Sequence, residues 1–412
     1  MSKKAVAVLL SVVVTAAIAD DGGRFPRNAS FTTLITTPLA IEGLTGDGAG
    51  NLYTTGRDLN AGDNCPVWRV NIVNPSLVTV GFIPNVAGVA CNPSGIALDE
   101  LGNLYIADGG AAATVWKLRP SASTPPVATA FATGVPGTNG LAFDRDGNLW
   151  TGDATTGNGR VWRIAPAGGV CEPTFSGCVE AFRIQPMANV LPAAPSGVAN
   201  VGRDARTLPP GTINAARQAS NMLGSQPLVA NGLAFDHDGD LYIADTARGA
   251  IWKVKLDRHG NVRSPTGCDT TFTPNTLCLD SVFVAHPYLE GTDGIALDRA
   301  GNIWNSANER NAIVVVGRHG EVSEVFRNPA NAAGLRNSAD AAVGNNHILE
   351  FPTSPVLEGK TFCTANSDGN RRDNSPNSAG EINSGNAAEM ARGKISCMDQ
   401  DLRIPGMRLP VR

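Results

Sequence analysis

The stretch Asn231-Gly-Leu-Ala-Phe-Asp-His-Asp-Gly-Asp-Leu-Tyr-Ile-Ala-Asp-Thr246 decides the fold. Two apolar runs bracket a turn of aspartates and glycine, the pattern of a β-hairpin. Four sister stretches open at Glu42, Ser94, Asn139 and Asp293. In every copy a glycine follows the opening residue. An aspartate stands five places after it (Asp47, Asp99, Asp144, Asp236, Asp298) and a second glycine eight places after it. An aromatic residue stands eleven places after it (Tyr53, Tyr105, Trp150, Tyr242, Trp304). The frame is constant while the opening residue changes.

The openings run from 42 to 94, 139, 231 and 293, steps of 52, 45, 92 and 62 residues. A step of about 45–60 residues is that of a four-stranded propeller blade. Two further strands are readable after most copies. They are 114–118 and 127–131, 160–164 and 179–184, 250–255 and 281–285, and 312–316 and 322–326. A closed ring buries the sheet faces that a lone blade leaves wet. Closure calls for a sixth blade, degenerate in sequence, built from 349–356, 359–365 and 393–398. Counting back eight places from its turn glycine, Gly359, lands on Phe351, so this copy lacks a polar opener in strict register. The early strand 29–37 is expected to pair into this last blade and fasten the ring. By length the 92-residue step admits a seventh blade, but 187–230 carries no repeat signature. It is rich in Pro, Ala and Asn with one helix-like run, 213–222, and favours an insertion. The expected fold is all-β. It is a six-bladed β-propeller of four-stranded blades, one domain over 29–412, with a long insertion between blades 3 and 4 (187–230) and a polar tail loop (366–392).

Composition bounds the function. The 412-residue chain has a net charge of −4, 42% hydrophobic and 17% charged residues, which is a globular profile. There is no Lys/Arg run or basic excess, so no nucleic-acid partner is expected. Lys3 and Lys4 precede an apolar run, 5–18, that ends at Ala17-Ile18-Ala19. This is the layout of a secretory signal peptide spanning 1–19. Its apolar run is short for a membrane span, so no membrane insertion is expected after cleavage. The protein is expected in the periplasm or outside the cell, as a monomer. Eight cysteines fit export; they allow 105 pairings, and no CxxC is present. Cys171 with Cys178, and Cys268 with Cys278, each fall between the third and fourth strands of a blade, and their like placement predicts two local clips. Cys363 and Cys397 fall on neighbouring strands of the last blade, which leaves Cys65 with Cys91.

The first strand of a propeller blade lines the central channel, so residues in one register share one depth. Glu42, Ser94, Asn139, Asn231 and Asp293 therefore converge on one end of the channel. Crowded carboxylates repel unless a cation lies between them. An all-oxygen ligand set without Cys or His suits a hard divalent ion, calcium or magnesium before zinc or manganese. The competing explanation is that Asn, Asp and Ser before Gly are turn residues. Glu42 is a poor turn former, and the openers differ from one another. The constant aspartate fits an Asx-type turn kept for folding. The five histidines occur singly and show no ligand spacing.

The copies resemble the repeats of the SMP-30/gluconolactonase/LRE-like superfamily of six-bladed propellers. The resemblance lies in Asn231-Gly-Leu-Ala-Phe, Asp293-Gly-Ile-Ala-Leu and Ile41-Glu42-Gly43, and covers about 40–330. It implies a divalent metal held by Glu42, Asn231 and Asp293, with Asn139 beside it meeting substrate. It further implies hydrolysis of a small-molecule lactone or ester, with Asp293 as general base. The chain departs from the family pattern at Gly137-Thr138-Asn139-Gly140, where an Arg and an Asp are missing. Ala230 and Thr292 replace prolines. A non-catalytic binding propeller with a structural cation, and a metal-dependent lyase acting on a cyclic ester, remain the alternatives.

Overall fold

The computed structural model describes residues 25–26, 29–57, 62–86, 88–185, 228–289, 291–308, 311–327, 348–367 and 393–408. The expected signal peptide, 187–227 of the expected insertion with its helix-like run, 368–392 of the polar tail loop, and His347 lie outside these residues.

Six antiparallel blades stand around one axis. From the inside outward, blade 1 is Ile41–Gly46, Asn51–Gly56, Cys65–Asn71 and Val78–Ile83. Blade 2 is Pro93–Leu98, Leu104–Asp108, Thr114–Leu118 and Thr129–Thr133. Blade 3 is Thr138–Phe143, Leu149–Asp153, Arg160–Ile164 and Cys178–Arg183. Blade 4 is Ala230–Phe235, Leu241–Asp245, Ala250–Val254 and Val282–Ala285. Blade 5 is Thr292–Leu297, Ile303–Ala307, Ala312–Val316 and Val322–Arg327. Blade 6 is Pro352–Glu358, Thr361–Asn366 and Gly393–Met398, completed on the outside by the early strand Phe31–Thr37. That last pairing joins the two ends of the described chain in one sheet, as expected. The short strand Gly169–Val170 adds to blade 2 in parallel and stitches it to blade 3.

The constant turn aspartate is a folding device. Asp99 accepts the backbone N–H of Leu101 and of Asn103 on Oδ1, and Asn103 Nδ2 and the Tyr105 hydroxyl on Oδ2. Asp47, Asp144 and Asp298 repeat this pattern. In these four blades the aromatic eleven places after the opener thus packs its ring between blades and spends its polar tip on the turn. In blade 4 the Asn is replaced by Asp240, and Lys253 Nζ bridges Asp236 and Asp240, 3.2 Å from each.

Blade 6 corrects the sequence count. Its Glu358 pairs with Thr361, and Pro355 with Thr364, so its hairpin is one residue shorter than Leu44 with Thr54 in blade 1. Register counted from the strands makes Thr353 the sixth opener. The shortened turn lends its Glu358 carboxylate to blade 1, where it accepts the N–H of Gly48 (3.1 Å) and Gly50 (2.8 Å).

All four cysteine pairs are disulfides as the placement predicts: Cys65–Cys91, Cys171–Cys178, Cys268–Cys278 and Cys363–Cys397. No helix among the described residues is long and apolar enough to cross a membrane.

The blades meet most closely at the axis. Every inner strand has a register break between the residue before the opener and the residue two places after it. The opener and its glycine occupy that bulge. A Cβ on Gly43 would collide with the Ser94 carbonyl, and one on Gly95 with that of Asn139. Gly140, Gly232 and Gly294 stand in the same way against the carbonyls of Asn231, Asp293 and Thr353. Between blades 6 and 1, Thr353 Oγ1 donates to the Glu42 carbonyl (2.7 Å). Blades 3 and 4 are therefore neighbours, and no seventh blade stands between them. Gly232→Ala is expected to cost about 1–3 kcal/mol by overpacking. Urea unfolding checks this, and an unchanged midpoint would contradict the close approach.

Candidate functional site

The openers lie within strands at the channel rim, not in turns, which removes the turn explanation. Glu42, Ser94, Asn231, Asp293 and Thr353 are buried and Asn139 is half-buried. A β-bulge re-aims the side chains it contains, and here the same bulge recurs in all six blades.

Their partners divide them into two groups. Ser94 Oγ donates to the carbonyls of Ala107 (3.4 Å) and Thr138 (3.3 Å), and Thr353 closes the ring as described. These two hydroxyls are spent on backbone. The other four openers are carboxylates and amides. Glu42 Oε1 accepts from Asn139 Nδ2 at 2.9 Å, so two of the expected site residues touch across the channel. Glu42 Oε2 forms an ion pair with Arg57, whose Nε also donates to the Pro93 carbonyl (3.1 Å). Asn231 Nδ2 donates to Thr246 Oγ1 (3.1 Å), which engages one N–H of the amide and fixes its orientation. Asp293 Oδ2 accepts from Asn308 Nδ2 (2.9 Å). Asn231 and Asp293 stand on adjoining inner strands, with Gly232 packed against the Asp293 carbonyl.

Arg57, Thr246 and Asn308 do not stand out in the sequence by residue type. Each stands fifteen places after its opener, at the end of the second strand. That fixed spacing is the signal by which they are found. Gly109 and Ala154 hold the position in blades 2 and 3, and Ser367 holds it in blade 6. The second ring is thus polar over blades 1, 4, 5 and 6, and small over blades 2 and 3, beside Asn139. Among the described residues, Asn308 Oδ1 and Ser367 Oγ are buried without a hydrogen-bond partner. An orphaned buried oxygen is costly unless a ligand completes it.

The donor set fits a hard cation. It offers two carboxylates, amide oxygens and hydroxyls, with Asn231 and Asp293 each oriented by a neighbour. Among the described residues no group of three His, Cys, Asp or Glu is gathered for a metal. A cation at the rim therefore relies on amide oxygen as well as on Glu42 and Asp293.

One place before the second ring, Asp108, Asp153 and Asp245 are buried at the strand ends. Burial pushes the carboxyls of Asp108 and Asp245 above the usual aspartate range. Trp116 Nε1 donates to Asp108, and Trp252 Nε1 and Arg248 to Asp245, which pulls the other way. Because the folded values are raised, each group costs stability as pH rises from the unfolded value of about 3.9 through the folded one. These aspartates anchor loops to third-strand side chains and stand behind the rim.

Arg57 and Glu42 are an ion pair withdrawn from water, so removing one partner strands the other. Arg57→Met in metal-free buffer is expected to lose about 3–5 kcal/mol of stability. The double variant Arg57→Met/Glu42→Gln is expected to recover most of it. Denaturant titration of the single and double variants checks this; equal stability of the two would contradict the pairing.

Residues 206–334 match the sequence model of the SMP-30/gluconolactonase/LRE-like region. No curated protein matches the chain at the level of sequence. Among solved structures, the calcium-binding protein regucalcin from Agrobacterium tumefaciens aligns with a TM-score of 0.54 at 16% identity, over 94% of this chain and 98% of that one. A putative gluconolactonase aligns at 0.50 and 15% identity, over 93% and 96% of the two chains. The PQQ-bound aldose sugar dehydrogenase of Streptomyces coelicolor aligns at 0.51 and 15% identity, over 90% and 99%. At such identities these likenesses speak to the fold. The chain carries an SMP-30/gluconolactonase/LRE-like region set in a six-bladed propeller.

Proposed function

We propose that the protein is an exported, metal-dependent hydrolase of small lactones or esters, acting at the rim of the central channel. The observation that carries the reading is the pair of oriented oxygen donors on adjoining strands. Asn231 is held by Thr246 and Asp293 by Asn308, and the Asn308 amide oxygen is buried without a partner. Glu42, Asn231 and Asp293 would hold the cation, with calcium or magnesium favoured by the all-oxygen set. When bound, the cation supplies Lewis-acid polarisation of the substrate carbonyl.

The remaining chemistry belongs to the chain. Asn139 donates to the substrate oxygen, held in place by Glu42. Gly109 and Ala154 leave room for the substrate beside it. Asp293 accepts a proton from the attacking water while Asn308 fixes its other oxygen. Arg57 supplies a guanidinium at the rim, where the chain lacks the blade-3 arginine of the family pattern. The four disulfides support an oxidising compartment, the periplasm or outside.

The test is turnover of a lactone panel with calcium, magnesium, manganese or zinc, beside Asp293→Ala and Glu42→Ala. Cation-dependent hydrolysis is expected, with each variant reduced by about hundredfold or more. Variants that keep both metal content and turnover would overturn the site. Metal binding without turnover would point to a binding propeller, and a product with a new double bond to a lyase.

A further inference from the structure

Beneath the polar ring the channel changes character. Two places after each opener stand Leu44, Ile96, Leu141, Leu233, Ile295 and Pro355, one from each blade. At the next place four blades carry alanine: Ala97, Ala142, Ala234 and Ala296. Larger apolar side chains follow one place further on in blades 2 to 6: Leu98, Phe143, Phe235, Leu297 and Leu357. A small tier between two large ones leaves a void, and the structure holds a cavity of about 110 Å³ there. Thr45 is the one polar side chain among its lining residues.

The floor of the cavity is built separately. The segment after the last strand crosses the face opposite the openers. Leu402 N–H donates to the Lys360 carbonyl (2.7 Å), Gly406 N–H to that of Gly359 (2.8 Å) and Met407 N–H to that of Leu297 (2.9 Å). This places the buried Met407 side chain across the lower end. A mainly apolar cavity takes apolar guests; an enclosed one of about 150 Å³ holds a benzene. Native interiors otherwise pack closely, so a void lined by all six blades is room that a guest can fill.

We propose that this cavity receives the hydrocarbon arm of the substrate. The substrate is then a lactone or ester bearing an unbranched chain of roughly four carbons, scaled from the benzene case. Its carbonyl end stays at the ring of openers, three residues up the same strands, roughly 10 Å away. The inference rests on the hydrolase reading for the carbonyl end and on the cavity alone for the arm. Met407 sets the depth, and the alanine tier sets the width.

The test uses the purified full chain and γ-lactones with alkyl arms from none to hexyl. Affinity is measured by calorimetry and turnover separately. Affinity is expected to rise about fourfold per carbon, ~0.8 kcal/mol each, and to level off beyond roughly four or five carbons. Ala142→Leu, and the milder Ala142→Val should the first fold poorly, is expected to flatten the profile while leaving binding of the bare lactone unchanged. Met407→Ala is expected to move the plateau to longer arms. A flat profile in the unaltered protein would overturn the proposal even if lactones are hydrolysed. So would a chain-length preference that Ala142→Leu and Ala142→Val leave intact. If no lactone is turned over but affinity climbs with chain length and the filled variants abolish the climb, the hydrolase reading falls and the cavity's role stands.

Discussion

Everything at the centre of this molecule depends on how closely the inner strands approach. The glycine after each of the first five openers lets one blade lie against the backbone carbonyl of the next opener, from Gly43 on Ser94 to Gly294 on Thr353. No side chain fits in that gap. The approach fixes the six openers in one ring, and the Thr353 hydroxyl on the Glu42 carbonyl completes it. The repeated bulge frees the opener side chain from the ladder, so one local irregularity closes the fold and presents the site together.

The ring is not uniform, and the differences follow from electrostatics. Ser94 and Thr353 turn their hydroxyls to backbone and act as spacers. Glu42 is a carboxylate withdrawn from water, which is sustainable only with a partner. Arg57 and Asn139 provide it from one side. Asp293 accepts from the Asn308 amide, and the Asn231 amide donates to the Thr246 hydroxyl. Oriented amide and carboxylate oxygens thus stand towards blades 4 and 5, while a guanidinium and a small-residue gap stand towards blades 1 to 3. A polarisable carbonyl placed across the channel would meet unlike groups at its two sides.

The blade frame was legible in the sequence because its causes are local. An aspartate that folds its own turn recurs at a fixed offset in blades 1 to 5, and an aromatic whose tip reaches that aspartate recurs in blades 1, 2, 3 and 5. The cysteine pairs were legible because they sit in like places on those blades. Blade 6 hid its opener because counting from Gly359 assumes a five-blade turn length, and its hairpin is one residue shorter. Arg57, Thr246 and Asn308 escaped because they share a position but no residue type, and their role exists only once neighbouring blades meet. The cavity escaped because an alanine within Gly-Leu-Ala-Phe looks like any buried strand residue. Only when four such alanines face one axis does their smallness become space.

The central claim is that a cation belongs on the axis among Glu42, Asn231 and Asp293. Crystals grown with manganese, measured near its absorption edge, test it most directly. The account predicts one anomalous peak at the channel rim within bonding distance of oxygens from all three residues. A map with no peak there, or with peaks only at the turn aspartates on the opposite face, would contradict it.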